Sequence, residues 1–177
     1  MVGLSWSVGF PVGSVHGFTS DVSAAGYEFQ FRYWFHPRFS LGATADWQSF
    51  SDTRPQTTYA LPNGAVTGTT YNRVGAGSLR VRGDFYFMDR GVVRPYAGAN
   101  VGFGWSSFEA NAADFVSTDT KNSIVLGAEL GALFAFAYDT PRLMLSVRYS
   151  AQPSADFLSV SDVQAITLQL GVASPAI

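Results

Sequence analysis

The chain has no cysteine, which excludes a disulfide framework and any thiolate metal site. It has one lysine, Lys121, and only 14% charged residues, against about 25% in ordinary globular proteins. A formal net charge of -2 with no basic cluster excludes a nucleic-acid partner. No apolar run reaches the ~18 residues of a membrane-spanning helix; Ala132 to Tyr138 comes nearest and is far too short. There is no charged start followed by an apolar core, so a secretory leader is expected to have been removed, with Met1 an added start. Two histidines leave little for a transition metal, and Asp114 and Asp119 lack the spacing of a calcium loop. No cofactor is expected.

What is present is aromatic residues, 15% of the chain, set out with a period of two. From Gly26 to Gln48, Tyr27, Phe29, Phe31, Tyr33 and Phe35 share one parity, and Glu28, Gln30, Arg32 and Trp34 the other. After His36-Pro37-Arg38 the apolar set resumes as Phe39, Leu41, Ala43, Ala45 and Trp47. Successive side chains leave a strand on opposite faces, so this stretch predicts a hairpin with one greasy and one charged face.

The same alternation predicts six more strands: near 4–10, 71–87, 93–108, 123–136, 143–150 and 166–172. Short turns are expected at 36–38, 88–91 and 139–141, and long polar loops at 11–25, 51–70, 109–120 and 152–162. Eight strands joined alternately by turns and loops make an up-and-down meander in a single domain, 1–177.

Closed into a barrel, eight strands enclose a lumen only wide enough for side chains. Four or five large apolar residues on several strands exceed that volume, so the apolar face belongs outside and the polar, glycine-bearing face inside. The inner parity carries Arg32, Arg80, Arg82 and Arg148 against Glu28, Asp46, Asp84 and Glu129. Such balance is expected of a buried network, because an unpaired buried charge costs several kcal/mol. About ten residues at ~3.3 Å rise and ~40° tilt span ~25 Å, the height of an outer-membrane apolar band. Phe35, Phe39, Phe85, Phe87, Phe134 and Phe136 fall near the short turns, and Phe10, Tyr27, Trp47, Trp105 and Tyr149 near the loops. They predict two aromatic girdles.

The chain resembles the small eight-stranded outer-membrane barrels of Gram-negative bacteria, the OmpA/OmpX-type transmembrane domain. The pattern covers nearly all 177 residues, and Arg94-Pro95-Tyr96-Ala97-Gly98-Ala99 and Leu145-Ser146-Val147-Arg148-Tyr149 look like that family's strands. The resemblance implies an all-β, eight-stranded antiparallel transmembrane barrel with polar lumen and apolar exterior, placed in the bacterial outer membrane. It implies the lipid bilayer as partner, with lipopolysaccharide a further candidate. Family members end on an aromatic read by the insertion machinery, whereas this chain ends Leu170-Gly171-Val172-Ala-Ser-Pro-Ala-Ile. Trimming or an additional element is the expectation there.

Three functions fit such a barrel. A scaffold, adhesion or recognition role would use the four loops, with a protein partner, above a lumen plugged by ion pairs and by Trp34, Tyr86 and Tyr96. A narrow channel would use the small lumen residues Gly98, Gly102, Gly104, Gly127 and Gly131. A lipid-modifying enzyme would need His16 to meet Ser51-Asp52 at the rim, since a hydroxyl nucleophile requires a base within hydrogen-bond reach. No lipase-like motif accompanies those residues, so the first reading is preferred and no enzyme is expected.

Overall fold

A computed structural model describes residues 1–61, 64–112, 115–136, 141–157 and 160–174. Eight strands, β1 (Val2–Val12), β2 (Ser23–His36), β3 (Phe39–Leu61), β4 (Gly64–Tyr86), β5 (Val93–Ala112), β6 (Phe115–Phe134), β7 (Arg142–Phe157) and β8 (Val160–Ser174), form a closed antiparallel barrel in sequence order. The only helix among the described residues is short: α1, Ser14–Phe18, between β1 and β2. Among the described residues no helix is long and apolar enough to cross a membrane.

Burial follows parity. Leu41, Leu79, Val81, Leu126, Leu130 and Leu145 are exposed on the outer wall, and Leu130 is 65% exposed. Arg32, Arg82, Glu28, Glu129 and Arg148 are buried inside, each at most 2% exposed. Leu133, on the inner parity, is fully buried. A wall this apolar is stable only against hydrocarbon, where a closed barrel also satisfies every backbone group.

The stretches 51–70, 109–120 and 152–162, expected as loops, are largely strand. The β3–β4 ladder runs to Leu61↔Gly64, β5–β6 to Ala112↔Phe115 and β7–β8 to Phe157↔Val160. These extensions are rich in Thr and Ser and carry Tyr59 and Tyr71. Such residues suit a pleated ladder, but they show no apolar alternation that would mark them as strand. The expected loop 11–25 likewise contains the end of β1, α1 and the start of β2. The expected turn at 139–141 falls mostly outside the described residues, as do Pro62, Asn63 and Asp114. The β4–β5 turn is described, and Gly91 there takes φ +132°, a conformation few other residues adopt.

Seven seams of the barrel are paired close to the ends of at least one strand. The β6–β7 ladder is different. It stops at Leu126↔Ala151, although β6 continues to Phe115 on β5 and β7 to Phe157 on β8.

Candidate functional site

The inner residues stack in three layers, because register sets neighbouring strands at common heights. The middle layer is ionic. Glu129 and Arg148 are direct cross-strand partners on β6 and β7, and Gly98 separates Asp84 from Glu129 in the same row. Glu129 is the hub. It takes Arg148 at 2.6 Å, Arg82 at 3.1 Å and Arg32 at 3.6 Å, and accepts the Tyr96 hydroxyl at 2.6 Å. Asp84 pairs with Arg82 at 2.7 Å and Arg32 at 3.6 Å. Glu28 pairs with Arg148, and with Arg82 at 3.8 Å.

Slightly higher, Arg80 meets Asp46 at 3.0 Å and donates to Asn100 and Ser78. All eight charged side chains named from the sequence are thus in ion pairs inside the barrel, six joined in one cluster and two as the Arg80–Asp46 pair above it. Glu28 and Asp46 face each other directly on β2 and β3, an opposition of like charges that is destabilising unless bases intervene. Arg148 and Arg80 supply them.

The lower layer, toward the short turns, is apolar and aromatic: Tyr86, Tyr96, Leu133, Met144 and Ala173, with Trp34 packed against them. The Tyr86 and Tyr96 hydroxyls accept from Arg32 at 3.2 and 3.1 Å, so this layer is bonded to the ionic one. Tyr96 lies across Gly131, where an added Cβ would sit 2.6 Å from the ring. Below, Arg94 lies 4.6 Å from the Tyr86 ring centre, and Arg142 lies 5.6 Å from that of Trp34. Cations over ring faces gain about 0.5–1 kcal/mol each at such part-exposed sites.

The upper layer was not foreseen. Val15 and Phe18 of α1 drop into the mouth and join Phe50, Val74, Phe108, Val163 and Ala165 in a buried cluster. Ser14 Oγ donates to the Asp162 carbonyl at 2.8 Å and also to its carboxylate, and Asn72 donates to the Phe18 carbonyl at 3.0 Å. These bonds tie α1 to β8 and β4. A signal for it was present: Phe50, Val74 and Phe108 are apolar residues on the parity that is polar below them.

The aromatic residues named as girdles all lie on the outer wall, with Phe10, Trp105 and Phe134 half-buried. Pairing sets Tyr27, Trp47, Gly77 and Trp105 in one row, and Tyr149, Ile166 and Phe10 in another. The Trp105 indole covers Gly77, where a Cβ would come within 2.6 Å. At the opposite end Phe35, Phe39, Phe85 and Phe87 form a contact chain, with ring centres 5.2–6.3 Å apart.

The candidate catalytic set is divided. Ser51 is exposed on the outer side of β3, whereas Asp52, its neighbour, is 7% exposed and on the inner side. His16 is exposed on α1. Hydroxyl and carboxylate leave opposite faces of one strand and cannot flank a common base. Among the described residues no three His, Asp or Glu side chains group to hold a metal ion.

The outer membrane protein beta-barrel domain family matches residues 2–173. The chain belongs to this family. The fold is similar to that of Neisserial surface protein A (NspA), with a TM-score of 0.64 at 18% identity over 97% of this chain and 93% of that one. Ail, the attachment invasion locus protein of Yersinia pestis, gives 0.53 at 15% identity over 98% and 93%. The N-terminal barrel domain of Pseudomonas aeruginosa OprF gives 0.50 at 14% over 97% and 95%. A further Ail structure holds the heparin analogue sucrose octasulfate. Comparison with curated proteins finds no match. As an outer-membrane barrel of this family, the chain places its apolar wall in the lipid of a Gram-negative envelope.

Proposed function

We propose that this barrel is a surface-recognition scaffold: the tall hairpins bind a partner, the lumen carries no flux, and no reaction is catalysed. The observation that carries the reading is the three-layer lumen. A continuous aqueous path would have to cross the α1 cluster, the salt-bridge layer and the Trp34–Tyr86–Tyr96 floor in turn. The aromatic rows anchor the wall at the two interfaces, and lipopolysaccharide packs against the outer one.

Charge indicates the kind of partner. The segments above the outer aromatic row carry seven acidic residues, including Asp21, Asp52, Glu109 and Asp162, against Arg54, Arg73 and Lys121. Ail binds a polyanion, the heparin analogue. An acidic end such as this one instead favours a protein surface of basic character. The test is a pair of measurements on purified protein. Planar-bilayer recording is expected to show no steady unitary current. Binding of host or envelope proteins graded by isoelectric point is expected to favour basic ones, weaken with salt, and vanish when 53–69 is replaced by a short turn. Steady currents, or binding indifferent to that replacement, would overturn the reading.

A further inference from the structure

Between the α1 cluster and the salt-bridge layer the lumen is not filled. A cavity of about 40 Å³ lies there, walled by Ser7, Asp46, Gln48, Val125, Gln152 and Thr167 among others. A water needs about 10–15 Å³ of such space, so the chamber takes two or three molecules of that size. Its charged walls are already neutralised, Asp46 by Arg80 and Arg148 by Glu28 and Glu129. An ion would therefore find no uncompensated charge. Gln152 Nε2 and Thr167 Oγ1 are buried without a hydrogen-bond partner, in residues 4% and 8% exposed. A buried donor left unpaired is costly, so both atoms call for a small polar occupant.

The way in is set by the strand pairing. Above Leu126↔Ala151 β6 and β7 part, and the first residues beyond that pair, Val125 and Gln152, are both walls of the chamber. Tyr149, of the outer aromatic row, pairs with Ala128 just below. The seam therefore opens at the outer boundary of the apolar wall. The axial route is closed from above by Val15 and Phe18 and from below by the arginines.

We propose that the chamber is a binding site for water and neutral polar molecules of similar size, entered sideways through the β6–β7 seam. It goes beyond the recognition role and does not depend on any hairpin partner.

The chain's lack of cysteine makes the test direct. Thr167→Cys in the chamber and Ser146→Cys below the salt bridges are each exposed to methyl methanethiosulfonate, a small neutral thiol reagent, in folded, heat-modifiable protein. Cys-substituted position 167 is expected to react roughly tenfold faster or more than position 146, as local access without global opening requires. A second protein adds Ser14→Cys and Asp162→Cys, oxidised to lock α1 in the mouth, and the rate at position 167 is expected to stay the same. If Thr167→Cys does not fold, Gln152→Cys takes its place. Equal reactivity at 167 and 146 would show a sealed chamber and overturn the proposal. A rate that falls when α1 is locked would show axial entry and overturn it too.

Discussion

The strands of this barrel run through two solvents, and their halves obey different rules. Below the Tyr27–Trp47–Gly77–Trp105 row the outer wall is apolar, and the inner one is ionic above an aromatic floor, so the two faces call for different chemistries. Above it β3 and β4 keep the same ladder for more than a dozen residues, but Arg73, Ser51 and Thr53 face outward where Leu79, Leu41 and Val81 do below. Backbone pairing is common to both halves and cannot be what distinguishes them. The lower half is specified by what surrounds it, and the upper half by the hairpin's own hydrogen bonds and strand propensity. Substitutions should therefore be expensive below and cheap above.

The largest effect is expected at Glu129. Glu129→Ala leaves Arg32, Arg82 and Arg148 short of a carboxylate in a sealed layer, at a cost of about 3–5 kcal/mol. Denaturant unfolding in micelles, followed by the shift of the folded band on a gel, measures it. A midpoint equal to wild type would mean that the three arginines do not depend on Glu129 for their charge balance, and the contrast would lose its lower half. Leu130→Arg comes next. It puts a charge on the lipid face beside Ala97 and Val147, at about 2–4 kcal/mol if refolded into bilayers. The same protein in water-rich micelles should show less, and equal penalties would argue that the wall does not face hydrocarbon.

Replacing 53–69 by a two-residue turn tests the upper half. Closure cost depends only weakly on loop length, and the removed ladder is local, so barrel stability should change by about 1 kcal/mol or less. A loss of folding would show that the tall hairpin supports the barrel, which would erase the contrast.

The difference between the halves also explains which parts were legible in sequence. Strand number, closure and the facing of Leu126 or Arg82 follow from a period of two that only a two-solvent wall imposes. The eight lumen charges could be named because they interrupt apolar strands at one parity. Their partners could not, since pairing across the barrel depends on stagger, and Arg82 reaches Glu129 from a strand two away. The hairpin extensions were read as loops because the sequence around Thr58 and Thr67 carries no apolar alternation. The short α1 was invisible for a related reason. Five residues, Ser-Val-His-Gly-Phe, are too few to show a helical period, and only the lumen's apolar cluster gives them a place.

The smallest effect concerns the bond that holds α1 at the border of the two halves. Asp162 accepts from Ser14 and from Gln164, and the Ser14 hydrogen bond holds its carboxyl below the ordinary aspartate range. A group whose pKa is depressed on folding stabilises the fold above its unfolded value, and that contribution is lost as pH falls through the folded one. The α1 tether should thus be intact at neutral pH and slacken only below about pH 4, the unfolded aspartate value. The Val15 methyl resonances, buried in the cluster, report the position of α1 by NMR. They are expected to shift below pH 4 in the wild type and to be insensitive there in Asp162→Asn, whose amide keeps an acceptor for Ser14 at every pH. A transition below pH 4 of equal size in both proteins would assign it to another carboxyl and detach the tether from Asp162.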